Sequence, residues 1–295
     1  MSSRMIMKAM IAFYIFIFFL YLFGPLIVMG VSAFNVESYP QAYPFEGFTW
    51  RWFGELFRDR DMIAGFWNSV IIGIGVVCVS VPIGLAASIV MGQIYHRARS
   101  VYYLVTVSPV LTPGVIIGIS TVIFWRDFSE MTGTRGIFYK GIVLAIFGQS
   151  SFIAAYCLLI ISARLQRFDR AQEEAALDLG ASYPQVFWHI LLPFLKPALA
   201  SAAVIAFLSS FENYNTTTFA ILADKTLVTV LAGEVRQGTT PALSGLAVII
   251  ISASLLGAIA YEVMKRREER QSARLAEQAK RAERGELAVA VAAPA

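Results

Sequence analysis

Charged side chains are scarce in this sequence. Asp, Glu, Lys and Arg make up 15% of its 295 residues and hydrophobic residues make up 57%, whereas charged residues form about 25% of a soluble domain. This balance excludes an ordinary soluble domain and indicates an integral membrane protein. The net charge of +4 is spread over loops and a C-terminal tail instead of one motif. We therefore attribute it to membrane orientation and expect no nucleic-acid partner.

Cysteine and histidine are also rare, with two of each. Cys78 and Cys157 both lie inside apolar runs, which indicates small hydrophobic positions rather than a disulfide framework or a metal site. The sequence has no His/Cys cluster with metal-ligand spacing, no phosphate loop of the form GxxxxGK[ST], and no nucleophile with a base near it. It therefore predicts no catalytic residue, no metal site and no cofactor in this chain.

Long apolar runs are what the sequence has instead. Six of them are long enough to cross a bilayer at roughly 20 residues per span, and no small-residue cleavage site follows the first. The basic residues Arg4 and Lys8 precede it and place the N-terminus in the cytoplasm. We predict an all-α integral membrane protein whose six transmembrane helices span about residues 9–34, 67–91, 101–125, 141–162, 197–222 and 243–264.

The C-terminal residues after the sixth run differ from the rest in composition. Residues 265–295 are charged and rich in alanine, with both signs interspersed. We expect a solvated cytoplasmic tail that is partly disordered, and we assign it no chemistry.

Helix-breaking residues are unusually dense in the third span. They are the pair Ser108-Pro109, the run Thr112-Pro113-Gly114, and Gly118. Broken backbone at membrane depth is tolerated only where protein or a water-filled cavity surrounds it. A gate or translocation path is one interpretation, and close packing through small residues is the other.

The loop between the first two spans leaves two interpretations open as well. Residues 35–65 interleave aromatic side chains, such as Tyr39, Trp50 and Trp52, with charged ones. These aromatic residues could anchor the chain at the membrane interface or bind an external partner.

The polar segment between the fourth and fifth spans has helix signals of its own. Asp169 with Gln172 predicts a helix start, and Gly180 predicts a left-handed stop after Leu179. Ser182 with Gln185 repeats the start signal, and Pro184 falls in the first turn of the second helix. We expect Pro193 to close that second helix. The segment is predicted to be a helix-turn-helix over about residues 164–196.

This segment resembles the cytoplasmic signature loop of the permease subunits of bacterial binding-protein-dependent ABC importers. The pattern is E-A-A-x3-G-x9-I-x-L-P, and its fixed positions are Glu174, Ala175, Ala176, Gly180, Ile190, Leu192 and Pro193. In that family the loop fits a groove on a cytoplasmic ATPase. The small residues would permit close backbone approach, and Leu179, Val186 and Phe187 would join Ile190 as apolar anchors. His189 would form part of the same docking face.

The resemblance implies a heteromeric importer in the bacterial inner membrane. This chain would supply a transmembrane permease domain over residues 1–264 and would pair with a second, homologous permease subunit. Two copies of a cytoplasmic ATPase would bind ATP and Mg²⁺ outside this chain, and a periplasmic binding protein would deliver the substrate. The chain itself would not be an enzyme.

Within that family the chain is most similar to the spermidine/putrescine-type permeases of the maltose-type importers. Those permeases carry a Ser-Phe-Asp-Asp-like stretch in the fifth span, where this chain has Ser210-Phe211-Glu212-Asn213. One acid is longer and the other is replaced by a neutral amide. The resemblance implies a polyamine or related cationic amine as substrate, while this departure leaves a different small solute as the alternative.

Glu212 is the acidic residue that stands out inside an apolar span. An acidic residue facing lipid costs roughly 2.5–3.5 kcal/mol, so Glu212 is expected to face a cavity or a partner. Helical spacing predicts one polar face shared by Ser209, Glu212, Asn215, Thr216 and Phe219. Two interpretations remain open. Glu212 could pass a cationic amine with Asn213, Tyr214 and Asn215 as polar contacts, or it could hold the second permease subunit.

Two other classes of protein compete with the importer. An ion-coupled secondary transporter also needs polar residues in its spans, but it leaves the signature loop unexplained and the sequence has no inverted repeat. A membrane-embedded enzyme needs several reactive groups at one depth, and only Glu212 is of that kind.

Overall fold

The computed structural model of the protein describes residues 3–257 together with residues 259, 263 and 266, and its described part is built from helices. In this part no strand forms, and a single isolated bridge pairs Asn35 with Phe48. In chain order the helices are α1 (Ser3–Ser32), α2 (Arg51–Leu56), α3 (Arg60–Gln93), α4 (His96–Leu111), α5 (Gly114–Thr132), α6 (Arg135–Phe138), α7 (Gly141–Leu165), α8 (Ala171–Asp178), α9 (Tyr183–Val186), α10 (Leu192–Phe211), α11 (Thr217–Ala220), α12 (Leu227–Gln237) and α13 (Pro241–Gly257).

Several of these helices are long and apolar enough to cross a bilayer. Among the described residues they are α1, α3, α7 and the continuous helix Tyr183–Phe211, and α4 with α5 makes a fifth if the bent pair counts as one span. Helix α13 is apolar but shorter. The end of the predicted sixth span and the predicted tail at 265–295 lie outside the described residues, apart from positions 259, 263 and 266.

The chain forms two compact units, of which the first comprises Met1–Leu56 and Thr239–Ala295. In this unit the side chain of buried Asn35 fixes the loop after α1, because its amide donates to the carbonyls of Gln41 and Pro44 and its Oδ1 accepts from the N–H of Glu46. The indole of Trp52 donates to the Asn35 carbonyl at 2.7 Å. The rings of Phe34, Phe48, Trp50 and Phe53 then pack on one another with centroids 5.0–5.5 Å apart.

The second unit, Phe57–Gly238, contains the main helical core. Helix α7 is its centre, since 61% of its most apolar window is buried within the protein. Helices α3 and α10 pack against it. The fully buried aliphatic side chains between them include Ile72, Val76, Leu144, Ile153, Ile161 and Leu195.

Glycine allows α3 and α7 to approach closely. A Cβ atom built at Gly84 would lie 2.5 Å from Cys157 Cβ and 2.8 Å from the Leu158 nitrogen. On the next turn of α3, Ser88 Oγ donates to the carbonyls of Gly84 and Leu158 at 2.7 and 3.1 Å. Small residues at the contact and a hydroxyl between the helices are typical of membrane helix pairs.

The predicted end of the second loop helix at Pro193 is wrong. The chain stays helical from Tyr183 through a π-helical turn at Phe187–Leu191 and into α10, where Pro193 occupies the first turn. In the π turn the N–H of Leu192 donates to the Phe187 carbonyl, five residues back. The wider turn restarts the helical register just before the proline, and a residue without an N–H is harmless in a first turn.

The fifth span ends earlier than predicted. Helix α10 stops at Phe211, and the N–H of Asn213 turns back to the Ser210 carbonyl at 3.2 Å. Asn213 Oδ1 then accepts from the N–H groups of Thr216 and Thr217 at 3.1 and 3.2 Å. An asparagine that binds the backbone ahead of it favours a helix start over a helix interior, so the chain begins α11 instead of extending α10.

The breaker cluster in the third span does bend the chain. Helices α4 and α5 meet at Thr112-Pro113 with an angle of 99° between them. We call this bend the elbow. Pro109 and Pro113 cannot donate, and Ser108 and Thr112 donate their hydroxyls to the carbonyls of Val105 and Ser108 near the break. These bonds supply donors to carbonyls that helical N–H groups no longer reach.

The contact at Gly84 gives a first prediction. Gly84→Ala should lower the thermal stability of the purified protein, because the added methyl group meets backbone atoms of α7 that cannot move without separating the helices. We expect a loss of about 1–3 kcal/mol, seen as a lower melting temperature in detergent. Gly233→Ala in α12 is the matched control, since no described atom lies within 4 Å of a Cβ at that position. Equal melting temperatures for the two variants would contradict the close α3–α7 contact.

Candidate functional site

The signature segment folds into two helices joined by a tight turn. Helix α8 ends in two back-bonds, from Gly180 N–H to the Leu177 carbonyl at 2.9 Å and from Ala181 N–H to the Ala176 carbonyl at 3.0 Å. This pattern needs a left-handed residue, and Gly180 has φ +86°. Ser182 and Gln185 form the predicted capping box at the start of α9. The turn is therefore held by local bonds.

This segment presents apolar side chains to the outside, and we call its surface over α8, α9 and the π turn the docking surface. Leu179, Tyr183 and Trp188 are 90%, 72% and 63% exposed. Between the helices lies an open cleft of about 470 Å³, lined by Leu179, Gly180, Ala181, Gln185, Val186, His189 and Ile190. These three side chains, Leu179, Tyr183 and Trp188, lie on the same polar segment, and a contiguous apolar patch outside the membrane spans is typical of an interaction surface.

The fixed positions of the signature pattern occupy this surface in different ways. Glu174, Ala175, Gly180 and Pro193 are exposed, and Ala176, Ile190 and Leu192 are half-buried. Of the expected anchors, Val186 is buried and supports the turn from within. The His189 ring lies on the cleft wall with Nδ1 3.0 Å from the Gln185 carbonyl.

Two arginine side chains link the helices near the docking surface: Arg170 joins the start of α8 to α3, and Arg164 joins α7 to α10. Arg170, just before α8, donates through Nη2 to the Gly92 carbonyl at the end of α3, at 2.8 Å. A cation is favourable at that position because the last carbonyls of a helix carry partial negative charge. The guanidinium of Arg164 lies 4.3 Å from the ring centroid of Phe194 in α10.

A buried polar cluster lies where α10 ends. Gln149, in the middle of α7, is 1% exposed, and its Nε2 donates to Thr217 Oγ1 at 2.7 Å. Its Oε1 accepts a short hydrogen bond from Ser210 Oγ in α10. Thr217 Oγ1 in turn donates to Asn213 Oδ1 at 3.1 Å. One amide therefore joins α7, α10 and α11.

Glycines let the chain after α10 press against α5 and α7. A Cβ atom at Gly118 would lie 2.6 Å from the Thr216 carbonyl oxygen, and one at Gly114 would lie 2.9 Å from Thr216 Oγ1. Gly148 of α7 comes close to the Thr216 methyl group in the same way. Thr216 is fully buried as a result. Close packing through small residues, one of the two interpretations of the third span, accounts for these glycines.

The sequence-predicted path residues lie in the turn that this cluster supports. Glu212 is the C-cap residue of α10 and is exposed, and Asn215 is exposed as well. Tyr214 accepts a hydrogen bond from Arg236 Nη2 of α12 at 2.8 Å. Asn213 directs its carbonyl oxygen into the turn, where three donors already occupy it.

The single helical face predicted for the end of the fifth span is wrong. Because α10 stops at Phe211, the residues of that face do not share a helix: Ser209, Glu212, Asn215, Thr216 and Phe219. Thr216 is buried, whereas Glu212 and Asn215 are exposed. Glu212 is close to Asn213, Tyr214 and Asn215 because all four lie in the turn between α10 and α11.

Sequence reasoning assigned no role to Gln149, Thr217 or Arg170. A signal for Gln149 was available, since an amide in the middle of an apolar span needs hydrogen-bond partners from other helices. Its partners Ser210 and Thr217 are 61 and 68 residues away in the chain, and the sequence does not pair them.

The polar cluster gives a second prediction. Gln149→Leu keeps the approximate volume but leaves the Ser210 and Thr217 hydroxyls without their amide partner. We expect about 1–3 kcal/mol of lost stability for the orphaned groups and a lower melting temperature of the purified protein.

A double variant tests whether these residues form one network. Ser210→Ala should add little to the destabilisation caused by Gln149→Leu, because the two residues share one hydrogen bond. Ser201→Ala is the control, since its hydroxyl binds only the Pro197 carbonyl of its own helix. Additive losses would contradict the network.

Comparison with known proteins agrees with this architecture. The chain is 29% identical over 254 residues to the putrescine transport system permease protein PotI of Escherichia coli K12, covering 85% of this chain and 89% of that protein. It is 24% identical over 255 residues to the spermidine/putrescine transport system permease protein PotC of Haemophilus influenzae, covering 86% and 95%.

Solved structures share the fold at lower identity. A chain of a bacterial ABC transporter that imports the acidic polysaccharide alginate superposes with a TM-score of 0.66 at 18% identity, covering 90% of this chain and 96% of that chain. A chain of the MetNI methionine ABC transporter in an inward-facing conformation gives 0.52 at 17% identity, covering 66% and 90%.

The family itself is identified by a match over most of the second unit and beyond it. Residues 80–270 match the model of the binding-protein-dependent transport system inner membrane component. The matched region contains the docking surface, the polar cluster and the Glu212 turn. This chain belongs to the binding-protein-dependent transport system inner membrane components, and it is the permease subunit of an ABC importer.

Proposed function

We propose that this permease subunit moves a small cationic amine of the putrescine or spermidine type from the periplasm to the cytoplasm. The observation that carries the proposal is the continuous helix from Tyr183 to Phe211, which begins on the docking surface and ends at Glu212. Its 29 residues extend about 43 Å at 1.5 Å per residue. An ATPase that moves one end thereby moves a carboxylate at the other.

The driving force comes from outside the chain. In the proposed complex two copies of a cytoplasmic ATPase bind ATP and Mg²⁺, one on this docking surface and one on a second, homologous permease. A periplasmic binding protein supplies the substrate. The chain has six spans in this arrangement, with both termini and the docking surface in the cytoplasm.

The substrate class is supported by two observations. The relatives PotI and PotC are named as putrescine and spermidine/putrescine permeases, and Glu212 is an exposed carboxylate at the end of a membrane helix. A carboxylate there suits a cation, and its cost at membrane depth is recovered when an ammonium group passes. Asn215 and the Tyr214 hydroxyl lie beside it as polar contacts, while Asn213 fixes the turn.

The coupling role of the docking surface gives a third prediction. Gly180→Val should leave the protein in the membrane but abolish uptake and substrate-stimulated ATP hydrolysis. The valine is strained at φ +86° by about 1–2 kcal/mol, and it blocks close approach of the ATPase. Uptake and ATPase activity are measured on the reconstituted complex.

The control for this experiment is Gly133→Val. Gly133 also has a positive φ, +67°, and like Gly180 it has no described atom within 4 Å of a Cβ. It carries similar backbone strain but lies at the end of α5, away from the docking surface. If both variants transport equally well or equally badly, the docking surface is not the coupling element.

The role of Glu212 gives a fourth prediction. Glu212→Gln keeps the size and hydrogen bonding of the side chain but removes its charge, so putrescine uptake should fall at least about tenfold. The complex should still assemble, as judged by co-purification of the second permease and the ATPase. Glu46→Gln, at an exposed acid in the loop after α1, is the control.

Two results would count against this role. Loss of assembly together with uptake would make Glu212 a contact to the second permease, which is the other interpretation of this residue. Unchanged uptake of every amine in a fully assembled complex would remove Glu212 from the mechanism.

A further inference from the structure

A second polar concavity lies inside the elbow, separate from the Glu212 turn. It is a cleft of about 400 Å³ between α4, α5 and α7, and we call it the elbow cleft. Its volume is within the range of about 300–1,000 Å³ found for small-molecule sites. Ser108, Thr112, Ser120, Thr121 and Ser151 supply hydroxyls to its lining, and Phe124, Trp125 and Phe147 supply aromatic rings.

Four of these five hydroxyls, those of Ser108, Thr112, Ser120 and Ser151, already use their protons. Ser108 and Thr112 donate to the carbonyls of Val105 and Ser108 at 2.8 and 3.2 Å. Ser120 donates to the Ile117 carbonyl at 3.1 Å, and Ser151 donates to the Gly148 carbonyl at 2.7 Å. A hydroxyl has one proton and two lone pairs, so what these groups offer to the cleft is lone pairs alone.

A lining in which four of the five hydroxyls offer only lone pairs favours a ligand that donates. A primary ammonium group has three N–H donors and no acceptor, so each hydroxyl can accept from it without losing its own backbone bond. A carboxylate or phosphate has only acceptors and would face lone pairs. To bind an anion, Ser108 and Thr112 would have to release carbonyls at the elbow that helical N–H groups no longer reach.

The aromatic residues complete the match. Phe124 is 60% exposed, and the Trp125 and Phe147 rings stack with centroids 4.5 Å apart beside it. Aromatic surface packs against the methylene groups of an alkyl amine, and an open ring face attracts a cation. Back-bonded Ser and Thr are common on lipid-facing helices too, and Ser108 and Thr112 also serve the elbow backbone. That role does not account for Ser120 of α5 and Ser151 of α7, which line the same cleft.

We propose that the elbow cleft is a second binding site for the transported amine, where the four hydroxyls accept from an ammonium group and the aromatic residues hold its alkyl chain. The inference rests on the proposed amine substrate and adds a site on α4, α5 and α7 to the Glu212 turn. The amine meets one charged contact and one neutral contact on its way through the membrane.

The test removes acceptors from the cleft at two positions inside regular helix. The double variant Ser120→Ala/Ser151→Ala takes away two of the four back-bonded hydroxyls, and Thr106→Val/Ser201→Ala is the matched control. Thr106 and Ser201 also bind carbonyls of their own helices, at 2.7 and 3.0 Å, but neither lines the cleft. Uptake of labelled putrescine is measured in proteoliposomes containing the complete importer and its binding protein.

We expect kcat/KM for putrescine uptake to fall about tenfold or more in the cleft variant, because hydrogen bonds to a charged group are lost. The control variant should match the wild type, and the basal ATPase activity of both should be unchanged. If the wild type imports putrescine and the cleft variant does so equally well, the elbow cleft is not a binding site and the proposed function stands. If the wild type imports no amine, the result contradicts both the proposed substrate class and the proposed ligand of the cleft.

A labelling measurement covers the case in which the double variant fails to assemble. Ser151→Cys is introduced with Cys78 and Cys157 replaced by serine, and is treated with methanethiosulfonates carrying either an ammonium or a sulfonate group. The ammonium reagent should react faster, and putrescine should slow it. Equal rates for the two reagents, with no protection by putrescine, would overturn the site.

Discussion

The bilayer requires every backbone N–H and C=O group at membrane depth to find a partner within the protein, and the irregular parts of this structure are arranged by that constraint. At the elbow, where two prolines supply no N–H, the hydroxyls of Ser108 and Thr112 donate to nearby carbonyls. Where α10 ends, the Asn213 side chain accepts from the first N–H groups of the next helix. At Pro193 the π turn sets a new register. At each of these three breaks in the regular helix, a nearby side chain or a π-type hydrogen bond replaces the missing helical hydrogen bond.

These replacement hydrogen bonds lie where transport is proposed to occur. The Asn213 cap holds the Glu212 turn, the hydroxyls line the elbow cleft, and the π turn is the part of the docking surface that continues into α10. A regular helix at any of these places would present only side chains, whereas a break adds a concavity, a turn or a change of direction. Gln149 then ties the end of α10 to α7 and α11, so that this end of the helix is held to the core of the second unit.

Local signals in the sequence predicted local structure well. The Gly180 turn, the capping box of Ser182 and Gln185, and the break at Thr112-Pro113 follow from residues a few positions apart, and the structure has all three. The predictions at Pro193 and at the end of α10 were wrong for a related reason. A proline or a polar residue indicates that the helix changes there, but it does not specify whether the helix ends, bends or continues through a π turn. The partners of Gln149 and Arg170 lie 61 to 78 residues away, and periodicity within one helix carries no information about them.

The replacement of an expected acid by Asn213 can now be given a physical meaning. The oxygen of this side chain accepts from two backbone N–H groups and from the Thr217 hydroxyl, and an aspartate or an asparagine can accept these bonds equally, since both offer a carbonyl-type oxygen at the same distance from the backbone. The amide therefore preserves the cap and the turn while removing one negative charge beside Glu212. In this chain a cation would meet a single carboxylate at the turn, and further stabilisation would have to come from neutral acceptors. The hydroxyls of the elbow cleft are acceptors of that kind, so the loss of an acid in one place and the gathering of lone pairs in another are compatible parts of one path.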